Sequence, residues 1–135
     1  MSEPHTRTVL SDRAATVCER CQVANTAVPR MKGLLGRKRL AEEEGLLLTP
    51  APSIHTWFMR FPIDVVFLDR DLEVIDVVEA LRPWRAAGRR GARAVLELAA
   101  GRARRCGLRI GDKLSLVAPG SIQTPVVFVR AGSAT

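Results

Sequence analysis

The stretch Ile63–Leu81, IDVVFLDRDLEVIDVVEAL, decides the fold. Two runs rich in Val, Ile and Phe flank the polar cluster DRD, which is the composition of two strands joined by a turn. An antiparallel hairpin is the expected result. Immediately upstream, SIHTWFMRFP (Ser53–Pro62) holds one of the two histidines and one of the two tryptophans of the chain. Strand alternation places Ile54, Thr56 and Phe58 on one side and His55, Trp57 and Met59 on the other. Both sides are largely apolar, so this segment is expected to lie as a strand between two layers until Phe61-Pro62 interrupts pairing.

Further strands follow on either side. Ala14–Ala24 alternates, GLLLTP (Gly45–Pro50) is a short apolar run closed by proline, and RAVLEL (Arg93–Leu98) and RIGDKLSLV (Arg109–Val117) read as strands. IQTPVVFV (Ile122–Val129) contains Pro125 and suits a sheet edge. Helical spacing of Val28, Met31, Leu34 and Leu35 predicts one short helix behind an Asn25 or Thr26 cap. LAAGRARRCGL (Leu98–Leu108) predicts a second. RPWRAAGRRGA (Arg82–Ala92) has no useful periodicity and reads as a long exposed loop, functional or mobile. The expected fold class is mainly β, a single-domain small β-barrel or sandwich with two short helices. The expected organisation is a flexible N-terminal arm over 1–13, one domain over 14–130 and a disordered C-terminus over 131–135.

Composition narrows the class. Hydrophobic residues make up 47% and charged residues 26% of 135 residues, the profile of a soluble globular domain. No apolar run approaches the roughly 20 residues that cross a bilayer. The first ten residues lack the apolar core of a signal peptide, so a cytoplasmic location is expected. The net charge is +7, unevenly spread: eight basic and three acidic residues in 1–41, two and nine in 42–79, nine and two in 80–112. Such a surplus is compatible with nucleic-acid binding only if it gathers on one face.

Cys18, Cys21 and Cys106 are an odd count, which argues against a disulfide framework. The CERC spacing invites redox or zinc chemistry. However, TVCERCQV reads as a strand, where positions three apart face opposite ways, so the two sulfurs are expected to diverge. A structural zinc site needs four ligands, and only Cys106, His5 and His55 could complete the set. No metal and no cofactor is expected.

Taken together, MKGLLGR, EGLLL, SIHTWFMRFPIDVVFLD, AVLELAAG and GLRIGD, in that order over roughly Ala14–Leu116, resemble the family called domain of unknown function 192. The resemblance implies a compact mainly-β domain and no established activity. Gly33, Leu34, Arg37, Gly45, Met59, Pro62, Asp64, Phe67, Leu96, Glu97, Gly101 and Gly107 match its pattern. Members of the family that this chain resembles often carry a cysteine after the proline of the GLLL strand, where this chain has Ala51.

Candidate ligand-binding residues are His55, Trp57, Met59, Arg60, Asp64, Trp84 and Glu97. His55 and Trp57 share a strand face, a proton donor or acceptor beside a stacking wall. Trp84 between Arg82 and Arg85 sets an indole among guanidinium groups, suited to an anionic or planar ligand. Asp64 sits in an apolar run and needs a partner if buried; Arg60 is the expected one, in a structural ion pair. Glu97 raises the same question within AVLEL. The leading expectation is a ligand-binding module whose pocket joins the SIHTWFMRFPID segment to the RPWR loop. One alternative is a hydrolase or lyase using Asp64, Glu97 and His55, which requires the two carboxyls to converge. Another is a nucleic-acid or acidic-partner surface built from Arg82, Arg85, Arg89, Arg90, Arg102, Arg104 and Arg105.

Overall fold

The structure is a computed structural model that describes residues 6–13, 15–24, 39–56 and 59–120. The hairpin forms as expected: β5 (Ile63–Leu68) pairs antiparallel with β6 (Val74–Leu81). Its turn is set by Asp69, whose carboxylate accepts the amides of Asp71 at 2.8 Å and Glu73 at 3.0 Å. On the other edge of β5 lies β8 (Ala94–Ala99), so β5 is buried at every position.

The sheet continues through β3 (Glu44–Leu48), β2 (Thr16–Ala24), β1 (Thr6–Ser11) and β9 (Leu114–Val117), in the order β6-β5-β8-β3-β2-β1-β9. Only the β2–β3 pair is parallel. The two edges meet at one corner, the Glu73–Lys113 bridge, without a continuous ladder, so the sheet curls but is not closed into a barrel. Leu47, Val66, Leu68, Leu96 and Leu98 pack on one face with Val9, Val17 and Leu114. Leu46, Leu48, Ile63, Val65, Phe67 and Val95 pack on the other, under Leu40, Ile54, Met59 and Phe61. A β5 that is apolar at every position but Asp64 is what this double burial demands. The result is a small sandwich-like, mainly-β domain with nine strands and one short helix, α1 (Arg102–Arg105), among the described residues.

Several expectations change. Residues 6–11 are not a flexible arm but β1, held between β2 and β9 with Thr8 and Val9 buried. Among its described residues, the quoted segment upstream of Pro62 is a strand only over β4 (Ser53–His55). The loop over 82–92 contains a three-residue strand, β7 (Ala86–Gly88), which pairs with β4 as a separate two-stranded sheet. Period-2 patterning cannot reveal so short a strand. The helix expected near Val28–Leu40 falls almost wholly on residues outside the described ones, and the strand at Ile122–Val129 entirely so.

The CERC expectation is also corrected. Between the pairs Arg7–Cys21 and Val9–Cys18, β2 carries one residue more than β1, a β-bulge. The extra residue restores both cysteines to one face, and both are fully buried there. The bulge leaves the Glu19 carbonyl outside the ladder, and the buried Thr8 hydroxyl donates to it at 2.9 Å. Hydrogen bonding with Cys18 and burial push the Cys21 thiol well up, which makes it an unreactive core group. Room for the Cys18 sulfur comes from Gly45: a Cβ there would lie 2.7 Å from Cys18 Sγ and 3.1 Å from the Glu97 carbonyl.

Gly45→Ala is therefore expected to destabilise the domain by about 1–3 kcal/mol. In a double-mutant cycle with Cys18→Ala, urea unfolding should return a coupling of about 1 kcal/mol. Strict additivity would contradict the packing described. A second expectation concerns acid. Asp112 is held below the usual carboxylate range by hydrogen bonds from Arg13, as is Asp76 by Arg89 and Asp69 by the Glu73 amide. With folded values depressed, this stability is present above the unfolded value near pH 4 and is lost as pH falls through the folded values. Urea midpoints should hold from about pH 7 to 5 and fall below about pH 4, with a shallower fall in Asp112→Asn.

Candidate functional site

Thr56, just beyond β4, organises the exposed end of the small sheet. It is fully buried. Its amide donates to the Arg85 carbonyl at 2.7 Å, and its carbonyl accepts the amides of Trp84 at 3.0 Å and Met59 at 3.2 Å. Its hydroxyl donates to the Arg82 carbonyl at 2.7 Å and accepts the Arg85 amide at 2.8 Å. One threonine thus satisfies both ends of the Arg82–Arg85 turn, and burial makes each of these bonds costly to lose.

What this turn holds out is Trp84, 56% exposed, one of only two large hydrophobic side chains exposed among the described residues. Its φ is 65°, in the left-handed region that a bulky side chain rarely enters. Such strain costs of order 1–2 kcal/mol and persists only where the surroundings over-determine it. Here the Thr56 bonds do so. Arg82 and Arg85 flank the indole in sequence, and the β4–β7 register sets His55 opposite Ala86, with its side chain exposed. The structure therefore brings the RPWR turn beside the SIHT segment. Arg60, also exposed, follows Met59.

The remaining candidates lie elsewhere. Trp57 is outside the described residues. Met59 is buried in the core under the sheet. Asp64 is fully buried, and its carboxylate accepts three backbone amides: Ala80 at 2.9 Å, Gly101 at 3.1 Å to each oxygen, and Ala103 at 2.9 Å. Arg60 is not its partner. Glu97 pairs with Val65 across the β5–β8 ladder, whereas Asp64 pairs with Leu98. Successive residues point to opposite faces, so the two carboxylates occupy opposite sides of the sheet and do not converge. His55 lies on the separate small sheet.

The arginine-rich segment is largely neutralised. Arg89 reaches Asp76 at 2.5 Å and stacks 5.1 Å from the Phe67 ring centre. Arg104 pairs with Glu79 at 3.1 Å. Arg105 and Arg102 both pair with Glu42, and Arg105 above all holds the Glu42 carboxyl below its ordinary range. Arg102 also donates to the carbonyls of Thr16 and Val17 at 2.7 and 3.0 Å. Among the described residues, no three His, Cys, Asp or Glu side chains cluster as metal ligands. No helix among them is long and apolar enough to cross a membrane. Sequence reasoning singled out Trp84 from its arginine neighbours but missed Thr56, whose only signal is a polar residue within an apolar run.

Two substitutions separate strain from support. Thr56→Val leaves the Arg82 carbonyl and Arg85 amide without their partner and should cost about 2 kcal/mol in urea unfolding. Trp84→Gly removes the side chain but relieves the backbone, so stability should stay level or rise by up to about 1 kcal/mol. A loss above 1 kcal/mol in Trp84→Gly would show that the indole is a packing residue instead.

Residues 8–116 match the model of the DUF192 family, described as "Uncharacterized ACR". Among curated proteins, a UPF0127 protein of Thermococcus sibiricus is 33% identical over 100 residues, covering 70% of this chain and 64% of that one. A UPF0127 protein of Pyrococcus abyssi is 38% identical over 66 residues, 48% of this chain and 56% of that one. The matches thus span somewhat more than half the length of these relatives. A solved structure from Novosphingobium aromaticivorans, of unknown function, is similar with a TM-score of 0.70 at 27% identity, covering 82% of this chain and 83% of that one. Another, from Sinorhizobium meliloti and described provisionally as a transcription regulator, has a TM-score of 0.73 at 24% identity, covering 86% and 96%. At that identity the likeness carries the fold alone.

Proposed function

This chain belongs to the DUF192 family, and on that premise we propose that it is a ligand-binding module whose contact surface is the Arg82–Arg85 turn with His55. The observation that carries the reading is Trp84. An indole held more than half exposed, on a strained backbone fixed from below by a buried threonine, is a costly arrangement for a loop with no task. Indole faces stack on planar or sugar rings, and guanidinium groups beside them favour anions. The ligand class is therefore an anion bearing a ring, such as a nucleotide or an acidic sugar.

Two competing readings have less support. Acid–base hydrolysis loses its pair of carboxylates to opposite faces of the sheet. A broad basic surface loses four of its seven arginines to ion pairs, leaving Arg82, Arg85 and Arg90 outside them.

Backbone amide titrations with AMP, glucuronate and a ten-residue oligothymidylate test the proposal, with glucose as the neutral control. Saturable shifts are expected at His55, Thr56 and Trp84–Ala86 for at least one anionic probe, with a loss of at least tenfold in affinity in Trp84→Gly. Shifts centred on Arg102–Arg105, or binding unchanged in Trp84→Gly, would overturn it.

A further inference from the structure

A concave site lined by residues other than those of the Trp84 turn lies beside the end of β8. A cleft of about 460 Å³ opens between the segment Arg39–Glu43, the Phe61-Pro62 corner and Ala99–Ala100 at the end of β8. That volume is within the range of small-molecule sites. Its apolar lining is Leu40, Phe61 and Ala99, each no more than 8% exposed, together with Pro62.

The charges around the mouth are unequal in availability. Glu42 is held by Arg105, with 2.6 Å between Arg105 Nη2 and Glu42 Oε1, and by Arg102 at 3.6 Å. Glu43 is held by Arg20 at 3.1 Å. Glu44 accepts the Ala41 amide at 3.0 Å and lies 4.0 Å from Arg20. Arg39 is exposed and enters no hydrogen bond or ion pair within the described residues; only its longer-range field reaches Glu43. Glu42 and Glu43 are thus neutralised in place, and among the described residues that line the mouth the unspent charge is a cation.

The walls are also fixed before any ligand arrives. Arg105 donates to the Ala100 carbonyl at 3.0 Å while gripping Glu42, so it ties α1 and the end of β8 to the 41–43 turn. It can fold back this far because residue 101 is glycine, where a Cβ would lie 2.5 Å from Arg105 Nη1. Gly101 in turn is held by Asp64.

We propose that this cleft is a binding site for a small organic monoanion with an apolar body, its carboxylate facing Arg39 and its chain or ring against Leu40, Phe61 and Ala99. The site is separate from the Trp84 turn and stands or falls independently of it. A ligand of about ten heavy atoms in such a shallow site binds in the millimolar range.

Amide titrations with hexanoate and phenylacetate test it, with acetate lacking the apolar body and phenethylamine reversing the charge. Saturable shifts are expected at Leu40–Glu43, Phe61 and Ala99–Gly101 for the two longer anions, and not for acetate or phenethylamine. Arg39→Glu should weaken them at least fivefold, and Ala100→Phe, which fills the cleft from its partly exposed wall, should abolish them. Should Ala100→Phe fail to fold, Arg39→Glu decides alone. No saturable shift by about 50 mM, well above the expected millimolar range, would overturn the proposal. So would equal binding of phenethylamine, or affinity unchanged in Arg39→Glu.

Discussion

The buried carboxylate of Asp64 is the constraint on which the rest of this structure depends. An ionisable group in the middle of a strand buried on both faces is tolerated only if its acceptor capacity is filled. Asp64 fills it with three main-chain donors from two other parts of the chain. One is Ala80, at a bulge in β6 where the backbone turns left-handed with φ 51°. The others are Gly101 and Ala103, where the chain leaves β8 and begins α1. The carboxylate therefore ties the edge strand β6 to the four-residue helix that follows β8. No helix of that length is stable alone. Its position, and through Arg105 the position of the 41–43 turn, follows from that single side chain.

Thr56 does for the small sheet what Asp64 does for the large one. Each is a fully buried polar side chain that gathers backbone groups from a distant loop. In both places the segment gathered carries a left-handed non-glycine residue, Ala80 at the β6 bulge and Trp84 in the turn. The chemical difference lies in what is displayed. At Ala80 nothing projects but a methyl group, whereas at Trp84 the strained position carries a large exposed ring between two arginines. That contrast separates a frame from a surface with something to contact.

Much of the architecture is legible in the sequence because burial on two faces leaves a plain mark. IDVVFL, AVLEL and GLLL are apolar runs broken only by Asp64 and Glu97, and they form three neighbouring interior strands, β5, β8 and β3. What escapes is whatever depends on a residue count rather than a pattern. The β2 bulge reverses the facing expected of Cys18 and Cys21, and no periodicity reveals an inserted residue. The β4–β7 pair is three residues long on each side, and Thr56 bonds the turn at its end. Of the candidate site, the β4–β7 register sets His55 opposite Ala86, next to the RPWR turn. Asp64 and Glu97 could not be separated without the register, since each is simply an acidic residue in an apolar strand. Arg60 lies four residues from Asp64, yet the carboxylate is filled by amides that come from 16 to 39 positions away.

If Asp64 is the structural anchor, the amides of Gly101 and Ala103 are protected by it although they belong to no sheet ladder. Native-state hydrogen exchange on the intact chain measures this directly. These two amides should exchange as slowly as those of the β5–β8 ladder and lose their protection together in Asp64→Asn. Exchange at the rate of an exposed turn in the unaltered protein would contradict the anchor, and with it the reading of Asp64 as structural rather than chemical.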